Sequence, residues 1–133
     1  MNPEIEFSNL GEVHPPLGLY SHVVALPAGA ELFLISGQVG VKPDGSVDVG
    51  IEGQAEQVFA NLFAVLQAHG LAAINIVKLT VFIVAGQDLG DLRNARLKYL
   101  GSHRPASTAV YVSRLAAPEW LVEVEAIAAR PKV

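Results

Sequence analysis

Apolar residues recur along this chain with two different periods, and the periods lay out its elements. From Ile51 to His69, the residues Ala55, Val58, Phe59, Leu62, Val65, Leu66 and His69 return at spacings of three and four, one wide stripe that predicts a helix. Gly70 is its stop signal. Asn75 to Ala85 is rich in β-branched residues and apolar on both alternating faces, which predicts a central strand covered on both sides. A second helix is predicted over Asp88 to Leu100, with Asp88 and Asp91 at its positive end and Gly101 after it. Ser107 to Leu115 and Leu121 to Ala129 read as two further strands. Upstream of the first helix, Ser21 to Leu26 and Glu31 to Val41 are β-rich runs separated by Pro27-Ala28-Gly29, a hairpin signal. Lys42-Pro43-Asp44-Gly45 reads as a turn, and the stretch through Pro15-Pro16-Leu17-Gly18 as irregular or extended chain.

The resulting order is β-β-α-β-α-β-β, an α+β domain with both helices on one face of the sheet. With no repeat and no low-complexity segment, residues 1–133 are read as one domain. No third helix is available for the other sheet face. Burial of that face against sister subunits, most simply in a closed cyclic ring, is therefore expected.

Composition agrees with that need for extra burial. The chain is 51% hydrophobic and only 17% charged, against about 25% charged in typical soluble domains. Such a chain is not disordered. Its net charge of −4 and scattered basic residues give no footprint for nucleic acid. There is no cysteine, hence no disulfide, thiolate nucleophile or cysteine metal site. Met1 to Glu12 carries three glutamates and no Lys or Arg, unlike a secretory signal, and a cytoplasmic location is expected. Gln57 to Val77 runs 21 residues without Asp, Glu, Lys or Arg. Its periodic pattern and interrupting polar residues favour a buried helix running into a strand over a membrane span.

Nucleophile elbows, P-loops and zinc signatures are missing, and the four histidines (His14, His22, His69, His103) show no ligand spacing, so no metal site is expected. The last strand carries the clearest chemistry. Val122, Val124, Ala126 and Ala128 share one face, and Glu123 and Glu125 the other. Such carboxylates are either solvated strand charges or, in an oligomer cleft, partly desolvated proton acceptors. Taken alone, the segment favours the solvated reading.

Five segments in register resemble the Rid family (YjgF/L-PSP). They are Ile35-Ser36-Gly37-Gln38-Val39, Gln54-Ala55-Glu56-Gln57, Lys78-Leu79-Thr80-Val81-Phe82, Arg104-Pro105-Ala106-Ser107 and Val122-Glu123-Val124-Glu125-Ala126-Ile127-Ala128. The resemblance spans about Tyr20 to Arg130. It implies a chorismate-mutase-like (ferredoxin-like) fold, a homotrimer with sheets packed inward, and clefts between subunits. It also implies cofactor-independent hydrolysis of enamines and imines such as 2-aminoacrylate. A strand glutamate positions or activates water there, which matches Glu123. Cleft-lining positions match Tyr20, Ser36 with Gly37, and Asn94.

One family position is changed. Active members of the family read Pro-Ala-Arg, the arginine gripping the substrate carboxylate, whereas this chain reads Pro105-Ala106-Ser107. Serine is neutral and short, and a lost bidentate contact costs about 2–4 kcal/mol of binding. Arg114, seven residues on, falls on the opposite strand face, and Arg104, in the loop before the strand, is more simply solvated than a replacement. Trp120 is either an aromatic lid or, the simpler reading, an interface anchor. The expected function is thus a small-molecule site in an intersubunit cleft, with Ser107 in its wall and no 2-aminoacrylate deaminase activity. The alternatives are an enamine/imine hydrolase for another substrate, with Glu123 positioning water, and a trimer that serves only as an interaction module.

Overall fold

The computed structural model describes residues 4–132. Its elements in chain order are β1 (Glu6–Ser8), β2 (Val23–Ala25), β3 (Glu31–Val39), α1 (Ile51–Ala68), a single 3-10 turn (Ala73–Asn75), β4 (Ile76–Val84), α2 (Leu89–Leu100), β5 (Ala106–Val112) and β6 (Val122–Arg130). The main sheet has the order β3-β6-β4-β5. β6 runs antiparallel to both neighbours, and β4 and β5 are parallel, joined by α2 as crossover helix.

α1 forms where the stripe predicts it. Ala55, Val58, Phe59 and Leu62 are fully buried and Leu66 nearly so, packed on Leu79, Val81, Val124, Ala126 and Ala128 of the sheet. Gly70, at φ +70°, carries the left-handed turn that ends it. The N-cap of α2 is Asp88, whose carboxylate accepts from the Gly90 amide at 2.8 Å. The two helices meet through Tyr99, which stacks on Phe59 with centroids 5.9 Å apart and donates to Glu56 at 2.8 Å.

The expected β2–β3 hairpin does not form. The turn at Pro27–Ala30 is present, with the Ala30 amide donating to the Pro27 carbonyl, but the chain leaving it joins a different sheet. β2 pairs with β1, a strand in the stretch read as irregular or extended, and β3 pairs with β6. Side chains and backbone together hold the β1–β2 ribbon: Asn9 accepts from the His22 amide, and His22 Nδ1 from the Leu10 amide. β3 has nine residues, matching the nine of β6, and finds far more ladder there than three-residue β2 offers.

One buried polar side chain ties the helix layer to the loops. Gln54 is fully buried. Its amide donates to the carbonyls of Asp48 (2.8 Å) and Glu119 (2.9 Å), and its oxygen accepts from the Leu121 amide (2.8 Å). Gly40 passes so close that a Cβ there would lie 2.8 Å from Gln54 Cα. Replacing Gln54 with leucine keeps the volume but strands three backbone groups. Gln54→Leu is expected to lower unfolding stability by about 2–4 kcal/mol, read from urea denaturation.

Candidate functional site

Register assigns each strand residue to a face of the main sheet. Leu79, Val81 and Ile83 of β4 point at the helices, and opposite them on β5 stand Ser107, Ala109 and Tyr111. Lys78, Thr80, Phe82 and Val84 point the other way, level with Ala106, Thr108, Val110 and Val112. Glu123 and Glu125 pair with Phe82 and Thr80 and share this second, open face. Ser107 and Glu123 therefore lie on opposite faces of one sheet.

On the helix side, Ser107 and Tyr20 line a cavity of about 580 Å³ between the segment Leu17–Tyr20, α2 and β5. The segment is pinned in place at two points. The Ser21 amide donates to the Pro105 carbonyl at 3.1 Å, and the Ser21 hydroxyl donates to the Arg104 carbonyl. Tyr20 in turn accepts from the Leu17 amide at 3.1 Å, folding the loop over the cavity. Among the described residues the lining is mostly apolar, and its charged members are Arg93 and Arg96.

Arg96 is a residue that the sequence reading missed. Its Nη1 donates to the Ser107 hydroxyl at 3.1 Å and its Nη2 to the Leu19 carbonyl. The signal was present: Leu89, Leu92, Arg93 and Arg96 fall at i, i+3, i+4 and i+7, so Arg96 sits on the inward stripe of α2. The guanidinium is held well below the usual arginine range, at a pKa of about 10, first by burial and then by repulsion from Arg104 and Arg93. It stays a cation at neutral pH. Arg104 does not reach Ser107; its Nη1 donates to the carbonyls of Gly101 (2.6 Å) and His103 (3.1 Å) just past α2. Arg114 bonds to the carbonyls of Leu115 and Ala116 beyond β5. Trp120 is half-buried in the turn before β6, away from the cavity lining.

On the open face, Ser36 and Gly37 form a bulge in β3 between the paired residues Ile35 and Gln38. The Glu123 carboxylate lies directly on Gly37: a Cβ there would overlap Oε2. A side chain at position 37 would therefore displace this carboxylate. Asn94 belongs to neither group. It is exposed on α2 beside Asp48, Glu52 and Asp91 of a separate groove between the helices. One chain thus brings together Tyr20 with Ser107, and Gly37 with Glu123, and leaves Asn94 apart. Among the described residues no group of three or more His, Asp or Glu is placed to hold a metal ion, and no helix is long and apolar enough to cross a membrane.

A four-stranded sheet with two helices on one face defines an α+β fold that this chain shares with known proteins. The sequence profile of the Endoribonuclease L-PSP family matches residues 12–130, and the chain belongs to this family, also called Rid or YjgF. It is 38% identical over 115 residues to a RutC family protein of Pyrococcus horikoshii, covering 85% of this chain and 88% of that one. Its fold superposes on the Rid family protein YyfB of Yersinia pestis with a TM-score of 0.83 at 28% identity, covering 96% and 98% of the two chains. It also superposes on E. coli TdcF with bound serine, with a TM-score of 0.69 at 26% identity, covering 94% and 98%.

The Gly37–Glu123 contact makes a direct prediction. Gly37→Ala is expected to fold normally, because the obstacle is the far end of a flexible side chain, while swinging the carboxylate out of its seat. A melting temperature within about 3 °C of wild type (less than about 1 kcal/mol), together with a changed Glu123 carboxyl ¹³C shift by NMR, checks it.

Proposed function

We propose that this chain takes a small molecule in a cleft completed by a second copy of itself, within a homotrimer, and does not turn over 2-aminoacrylate. The observation that carries this reading is the separation of the two chemical groups onto opposite sheet faces. Glu123 cannot meet a ligand in the Tyr20–Ser107 cavity of its own chain, but a neighbouring chain whose own open face meets the β5 edge supplies a carboxylate from outside. That face is made for cover: Leu32 and Leu34 of β3 are 52% and 78% exposed and Val110 is 40% exposed. The serine bound to TdcF supports a small molecule as the kind of ligand. Ser107, neutral and short, stands where active relatives carry the carboxylate-gripping arginine, which argues against the smallest amino-acid enamine as substrate.

A second reading has one observation in its favour. Arg96 keeps a cation beside Ser107, so hydrolysis of a different enamine or imine is also compatible with the site. In that chemistry the water oxygen bonds to the C=N carbon while Glu123 takes the water proton and passes it to the nitrogen, and the resulting carbinolamine breaks its C–N bond, its hydroxyl proton going to the departing ammonia as the carbonyl forms.

Two measurements test these readings. Light scattering is expected to give three copies of the 14.1 kDa chain, about 42 kDa; a monomer would sink the shared cleft. Pyruvate and ammonia release from enzymatically generated 2-aminoacrylate is expected at the background rate. Turnover of the imines of larger amino acids, abolished by Glu123→Gln, would select the second reading over the first.

A further inference from the structure

We propose that the anion seat of this cavity is carried by helix α2, where the Arg96 guanidinium, seconded by Arg93, binds the carboxylate of a ligand whose body is apolar. The inference rests on the reading of the Tyr20–Ser107 cavity as a ligand site and names what that site selects.

Three observations converge on Arg96. The first is position. It reaches the Ser107 hydroxyl from the helix, so a guanidinium occupies the end of the cavity where the strand itself offers only a short neutral side chain. The second is incomplete satisfaction. Nη1 and Nη2 have partners, whereas the buried Nε donor has none among the described residues. The third is uncompensated charge. Among the described residues the cavity lining contains Arg93 and Arg96 and no Asp or Glu, and the neighbouring Arg104 adds repulsion. A half-buried cation with cationic neighbours and no carboxylate is an expensive arrangement for the chain to hold alone. A ligand anion offsets it, and a planar guanidinium suits a carboxylate.

The other walls decide the ligand's body. Leu17, Leu19, Tyr20, Phe59, Val81 and Leu92 leave little for a polar ligand to bond. The volume, about 580 Å³, is far larger than a bare carboxylate needs and lies within the range of small-molecule sites. The class is therefore a carboxylate on an aromatic or branched apolar group.

Phenylacetate and phenylacetamide share a body and differ in charge, so they make the test. In ¹⁵N NMR titrations of the intact protein, phenylacetate is expected to bind about tenfold or more tightly than the amide. The perturbed signals should include Gly90 and Ala109, on the two sides of the cavity. Arg96→Gln should weaken phenylacetate about tenfold or more and leave phenylacetamide within about twofold; Arg93→Gln should weaken phenylacetate about two- to fivefold. Arg96 also donates to the Leu19 carbonyl, so a purely structural role would weaken both probes alike, and that result overturns the proposal. Equal binding of both probes to the wild type keeps the ligand site but removes the anion seat. Binding of neither removes the ligand site itself and the proposal with it. Displacement of phenylacetate by an equal concentration of inorganic phosphate would overturn the carboxylate assignment. Should Arg96→Gln not fold, the wild-type comparison and Arg93→Gln, at an exposed position, decide.

Discussion

β6 is hydrogen-bonded along both edges, to β3 on one side and β4 on the other, and from Val122 to Ala128 its side chains alternate between two environments. Val122, Val124, Ala126 and Ala128 go into the helix-covered core, and Glu123, Glu125 and Ile127 go to the open face. A slip of one residue would drive two carboxylates into a core made of Phe59, Leu62 and Leu79, where burying unpaired charge is heavily disfavoured. That prohibition sets the register of β6. The register then sets which face Gly37 and Ser107 occupy, through the strands paired to β6 and β4.

The division of chemistry follows from the same alternation. The helix side holds a cationic, otherwise apolar cavity, and the open side holds a carboxylate seated on a glycine bulge. Acidic and basic groups on opposite faces of one sheet do not neutralise each other within the chain. The separation preserves Arg96 as an available cation, with its hydrogen bonds going to neutral oxygens of Ser107 and Leu19. It also leaves Glu123 accessible from outside the chain.

Arg96 further couples the cavity to the integrity of the fold around it. The bond from Arg96 to Leu19 and the bonds from Ser21 to Arg104 and Pro105 clamp the N-terminal segment onto α2 and the start of β5. The loop that carries Tyr20 is thus positioned by the residue proposed to bind the ligand. Ligand charge and loop position are linked through one side chain.

The stripes of α1 and β4 and the alternation in β6 were legible because hydrophobic periodicity is a local property, and burial followed it almost residue for residue. That Glu123 and Glu125 share the face opposite Val122 and Val124 was legible from the alternation itself. Pairing was not: the turn at Pro27–Gly29 says where the chain reverses, not which strand receives it, and β3 chose the longer partner in β6. Arg104 looked nearest to Ser107 because it is three residues away in the chain, yet its guanidinium turns back to the carbonyls at the end of α2. Arg96 is eleven residues away and bonds to Ser107, because the β4–α2–β5 crossover sets the helix across the cavity from the strand it leads into. Distance along the chain decides helices, strands and faces; distance across a crossover decides which charge meets which cavity, and only the folded chain contains it.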